Sequence, residues 1–135
     1  MIKDVENLEV YRRAMKLLKP IYRLARLLPK DEFRLKDQLT GAAKSVPPLI
    51  AEGFAKRRFV KEFKRFLLMA LGSSDEVITH LKEIKIIGFE TIKIETVEAL
   101  ISHYKIVSKQ INRLIHVWKI NSSPSGPSDS SDSSD

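Results

Sequence analysis

Apolar positions along the chain recur every three or four residues, the period of helices that turn one face to a core. Four such segments predict four helices. The first runs from about Val5 to Leu28, with a stripe of Leu8, Tyr11, Ala14, Met15, Leu18, Ile21, Tyr22, Ala25 and Leu28. Asp4, Glu6 and Glu9 lie near its start, where they complement the helix dipole. Pro20 predicts a kink near Arg13–Lys16 or a break into two shorter helices; the unbroken stripe favours the kink. Pro29 ends the helix, and Asp31 is placed to cap the next.

The second segment, Leu35 to Phe54, carries Leu35, Leu39, Ala42, Ala43, Val46, Ile50 and Phe54 on one face. Small residues in its middle (Gly41, Ala42, Ala43, Ser45) predict close approach of neighbouring helices, and make it the central helix of a bundle. Pro47 and Pro48 remove amide donors and predict a bend or weak point; Gly53 is placed for a left-handed C-terminal cap. The third segment ends near Ile87 and buries Phe59, Phe63, Phe66, Leu67, Ala70, Ser74, Val77, Ile78, Leu81 and Ile84, with Gly88 as its stop. Gly72, with Ala70 and Ser73, predicts a second close helix contact. The fourth begins at Thr96 or a few residues earlier and ends at Trp118, with the most regular seam: Val97, Leu100, Ile101, Tyr104, Val107, Ile111, Leu114, Ile115 and Trp118. Ile94, Ile106, Val117 and Ile120 lie off that seam, which predicts a helix covered on a second side, as in an oligomer.

Composition narrows the picture. With 135 residues, 43% hydrophobic and 30% charged, the chain fits one globular domain, residues 1–120. The remainder, 121–135, is rich in Ser, Asp, Pro and Gly and is predicted to be disordered. The absence of cysteine excludes disulfides, thiolate zinc sites and thiol nucleophiles, and fits a cytoplasmic setting. The mixed, acidic start predicts no secretory signal, and no apolar run approaches the roughly 20 residues of a membrane span.

Charge adds the functional lead. The net charge is +7, and residues 1–58 hold 14 bases against 7 acids. On the first helix Arg12, Lys16, Lys19, Arg23, Arg26 and Lys30 recur at steps of three and four, with Arg13 beside them. No acid interrupts that row, which over about 27 Å, at 1.5 Å per residue, suits a phosphate backbone. A second cluster, Lys56, Arg57, Arg58, Lys61, Lys64 and Arg65, is interleaved with Phe59, Phe63 and Phe66. Phenylalanines at that spacing read as core rather than as base-stacking platforms. The alternative for the row on the first helix is a solvated face, or pairing with acids on another helix or subunit.

Catalytic and metal signatures are missing from the sequence. His80, His103 and His116 form no H-x-x-x-H pair, and there is no P-loop, G-x-G-x-x-G or G-x-S-x-G. Glu52 has no partner acid or base at catalytic spacing and reads as a structural acid. The expectation is a protein that is not an enzyme and needs neither metal nor cofactor.

Several runs resemble a known family. They are Leu8-Glu9-Val10-Tyr11, Leu28-Pro29, Gln38-Leu39, Ala42-Ala43, Ser45-Val46-Pro47, Ile50-Ala51-Glu52-Gly53-Phe54, Glu62-Phe63, Arg65-Phe66-Leu67, Ala70, Gly72-Ser73 and Glu76. Over about Leu8 to Trp118 the chain is similar to the four-helix bundle proteins first noted as products of intervening sequences in bacterial 23S ribosomal RNA genes. Leu49 stands where that family commonly has asparagine; Arg34 and Ala55 stand where it often has glycine. The resemblance implies an antiparallel up-down four-helix bundle assembling into a homopentamer with a basic surface. A related branch, the accessory variability proteins of diversity-generating retroelements, implies nucleic acid and a reverse transcriptase as partners. The combined expectation is an all-α, cytoplasmic homo-oligomer that binds RNA or DNA through phosphates. The alternative is a protein-interaction module for a partner such as that reverse transcriptase.

Overall fold

The computed structural model describes residues 3–118. The Ser/Asp-rich segment 121–135 and Ile120 lie outside them. A short 3-10 turn, Val5–Asn7, leads into α1 (Glu9–Arg26); a second, Lys30–Glu32, precedes α2 (Phe33–Ala55); α3 (Val60–Ile87) and α4 (Ile94–Val117) follow. Among the described residues there is no strand, and no helix is long and apolar enough to cross a membrane.

The connections are too short for anything but antiparallel neighbours. α2 packs along α3, and α3 along α4, most extensively; α1 closes the ring against α2 and, less closely, α4. Each helix thus touches the two beside it and not the one across, the arrangement of an up-down four-helix bundle. Leu39, Ala43, Val46, Ile50, Phe63, Leu67, Val77, Leu81, Tyr104, Val107 and Ile111 are fully enclosed where the four apolar faces meet. Hydroxyls tie the helices at two places. Ser45 Oγ on α2 lies 2.8 Å from Ser73 Oγ on α3, and Ser74 on α3 bonds Ser108 on α4 at 2.8 Å, which donates in turn to Asp75 at 2.7 Å.

The face of α2 is buried as the spacing predicts, and so is that of α4 from Val97 to Ile111, while Leu114, Ile115 and Trp118 are half-buried; Gly88, at φ 75°, stops α3 in the left-handed conformation. Five details differ. The core line of α1 is Val10, Ala14, Leu17, Ile21 and Leu24, rotated from the predicted stripe; Met15 is 46% exposed, and Tyr11, Leu18 and Tyr22 are half-buried. Phe59 is 62% exposed, because it precedes α3 in extended conformation and is out of phase with the helix. Gly53 is no left-handed cap, since α2 continues to Ala55. Its role is close approach: a Cβ there would stand 2.6 Å from Leu67 Cδ2 and 3.2 Å from the Phe63 carbonyl oxygen. Gly72 and Gly41 face open space instead of a neighbouring helix. Asp31 lies within the 3-10 turn, and α2 starts without a side-chain cap. Pro20 sits within α1, and α2 runs without interruption through Pro47 and Pro48.

Candidate nucleic-acid interface

The core line of α1 decides where its cations point. The row Arg12, Lys16, Lys19, Arg23 and Arg26 is offset from Val10, Ala14, Leu17, Ile21 and Leu24 by two residues throughout. At 3.6 residues per turn that is roughly 200° around the helix, so the row stands nearly opposite the core. All five are exposed, over about 21 Å at 1.5 Å per residue. Lys30 is exposed too but lies beyond α1, in the 3-10 turn. Arg12 donates from Nη1 to the Glu6 carbonyl at 2.7 Å. Among the described residues, Lys16, Lys19, Arg23, Arg26 and Lys30 have no carboxylate within 4.0 Å. Arg13 is different. Its Nη2 lies 3.0 Å from Glu9 Oε2. Arg13, and after it the Gln110 amide, hold the Glu9 carboxyl below the usual carboxylate range.

The second cluster sits at the opposite end of the bundle from Lys30, around the turn at residues 56–59. It rests on an aromatic bed: the Trp118 ring stacks on Phe63 at 4.5 Å between centroids and meets Phe54 edge-on at 6.4 Å. Arg57 lies 4.1 Å above the Phe54 ring and donates to the Phe54 carbonyl at 2.9 Å. Arg65 grips both oxygens of Glu62, at 3.1 and 3.2 Å, and covers Phe66 at 4.5 Å. That pairing lowers the Glu62 pKa and raises that of Arg65. Lys56 reaches Glu52 at 3.4 Å and stands 5.8 Å from the Phe66 ring. Arg58 is exposed, 5.8 Å from the equally exposed Phe59. Lys61 and Lys64 have no ion-pair partner among the described residues.

The structure thus gathers the predicted cations into two groups, one open and one partly occupied. The occupying acids were readable in the sequence: Glu9, Glu52 and Glu62 precede Arg13, Lys56 and Arg65 by four, four and three residues. What periodicity did not offer is the placing of His103 on α4 across from the start of the row. His103 lines one pocket with Arg12, Arg13 and Lys16 across the α1–α4 seam. Among the described residues no three His, Asp or Glu side chains converge as a metal site. His80, nearly enclosed on α3, is held by Glu83 at 2.9 Å and Glu76 at 3.2 Å.

No curated protein matches the chain. The family model described as 23S rRNA-intervening sequence protein matches residues 6–113, from the lead-in to α1 to the last turns of α4. That span takes in all four helices and both hydroxyl ties, and the chain belongs to the 23S rRNA-intervening sequence protein family.

Proposed function

We propose that this protein is a non-enzymatic, cytoplasmic, homo-oligomeric helical bundle that binds RNA or DNA through phosphate contacts. The observation that carries the reading is the α1 row, whose exposed cations face away from the core, with no carboxylate within 4.0 Å of Lys16, Lys19, Arg23 or Arg26 among the described residues. Charges left unneutralised on a helix surface attract polyanions and release the counterions of the strand. The family description, which names a ribosomal RNA sequence, makes RNA the first probe to use. Lys61, Lys64 and Arg58 add a smaller contribution from the other cluster. The family resemblance supports a homopentamer. The test is a filter-binding series over salt. The logarithm of affinity should fall linearly with the logarithm of salt concentration, by about 0.7 per contacted phosphate of a single strand for each tenfold rise in salt. A flat response overturns the reading.

A second reading rests on a separate observation. Leu27, Phe33, Ile86, Ile87 and Ile94 are all about half exposed or more, and all lie at the end of the bundle where α1 and α3 finish. Apolar residues grouped in this way favour a protein partner, for which a retroelement reverse transcriptase is the kind the resemblance implies. Capture of a partner that survives nuclease treatment supports this module; loss of it with the nuclease supports nucleic acid.

A further inference from the structure

The α1–α4 seam holds a concave site at the start of the row. The pocket has a volume of about 370 Å³, near the lower end of the range for small-ligand sites. Arg12, Arg13, Lys16 and His103 line it, with Glu9 and Leu17 completing the wall. Three fixed cations face one carboxylate, and that carboxylate is already matched by Arg13. Lys16 has no carboxylate within 4.0 Å among the described residues. Arg12 spends one N–H on the Glu6 carbonyl and keeps the rest of its guanidinium donors. The pocket therefore combines surplus positive charge with uncommitted donors, the recognition chemistry of a compact oxyanion.

From this we infer that the pocket takes a phosphate monoester, and that it seats the terminal phosphate of a nucleic acid strand whose backbone continues along the row. An internal phosphodiester carries a single charge and is tethered on both sides, so it passes along an open row. A terminal monoester carries up to two charges and one tether, so it enters a recess between two helices. Continuity with Lys19, Arg23 and Arg26 favours a strand end over a free nucleotide, because only a strand draws on both. Leu17 supplies an apolar floor, and the His103 ring adds an N–H donor from the opposite helix. This inference rests on the nucleic-acid reading above, and the experiment separates the two.

Fluorescence anisotropy would compare one single-stranded RNA sequence with a 5′-phosphate and with a 5′-hydroxyl, using the full chain, with adenosine 5′-monophosphate as competitor. The phosphorylated strand should bind about tenfold tighter, the factor that one charge-assisted contact of ordinary strength gives. The preference should shrink in His103→Ala and Arg12→Gln, both exposed positions where folding is not at stake. In Lys64→Ala, at the other cluster, both strands should weaken together and the ratio persist. Equal binding of the two strands overturns the pocket assignment while leaving the nucleic-acid reading intact. Binding of neither overturns both. A mononucleotide that binds as tightly as the phosphorylated strand overturns the strand-end assignment.

Discussion

The two basic regions have similar numbers of cations but different surroundings. On α1 the cations extend from a helix face opposite the core, and from Lys16 to Arg26 none has a carboxylate within 4.0 Å among the described residues. Around residues 56–59 three of the six, Lys56, Arg57 and Arg65, lie over Phe54 and Phe66 or beside Glu52 and Glu62. A cation over a ring or beside a carboxylate already has an electrostatic partner and must give it up to meet a phosphate. The difference teaches that charge count ranks the regions as equals, whereas the acids three and four residues away, and the rings beneath, rank the α1 row first. On the proposed reading the row is the part left open to a polyanion, whereas much of the turn cluster is already engaged within the fold.

That contrast can be broken most directly on the α1 side. Replacing Lys16, Lys19, Arg23 and Arg26 together with alanine should weaken RNA binding on the order of a hundredfold at physiological salt, from about fourfold per contact. Thermal stability should stay within ~0.5 kcal/mol, as for exposed positions without partners. An affinity that does not move places binding elsewhere. Next in size is Gly53→Ala, beneath the turn cluster. The new methyl would press on Leu67 and on the Phe63 carbonyl, and should cost about 2 kcal/mol in denaturant unfolding. Arg57→Ala should cost about 1 kcal/mol through the lost stack on Phe54, with a smaller loss in RNA affinity than the α1 variant. If Arg57→Ala leaves stability untouched and binding collapses, the ranking of the two regions is reversed.

The smallest effect concerns His80, which lies in neither region. Burial of its ring lowers its pKa, but the hydrogen bonds and charges of Glu83 and Glu76 raise it by more, so it stands above the ordinary histidine value. A raised folded-state pKa adds stability that is fully present below the unfolded value, about 6.5, and is lost as pH rises through the folded value. Melting temperature should therefore drop by a few degrees at most over that window, and Glu83→Gln should flatten the drop. A dependence of the opposite sign would refute the assignment.

How much of this was legible before the structure varied from helix to helix. α4 has one clean seam, so its buried set could be read directly. α2 could be read as well, because its small and large apolar residues share one face. α1 is harder: Val10, Leu17 and Leu24 form one line and Tyr11, Leu18 and Tyr22 another one step round, and both satisfy the same period. Only the positions of α2 and α4 decide between them, and that decision turned the cationic row from the flank of the core to its opposite side. Phe59 fits the α3 spacing by number, but the chain there is extended and no longer follows helical phase. Gly53 shows a further limit. A glycine near the end of a periodic run reads as a stop, yet here it lets Phe63 and Leu67 come close while α2 continues past Phe54. The pocket at Arg12 and His103 joins residues ninety-one positions apart, which local spacing cannot reach.

The row's length also acts as a ruler. An extended single strand spaces its phosphates roughly 6–7 Å apart, so on the proposed reading a straight cationic face of about 21 Å, at 1.5 Å per residue, is matched by about four of them. Because that face lies along α1, such a strand would run along the bundle rather than across it. In a series of single strands of increasing length, affinity per protomer should climb steeply up to that footprint and only gently beyond it.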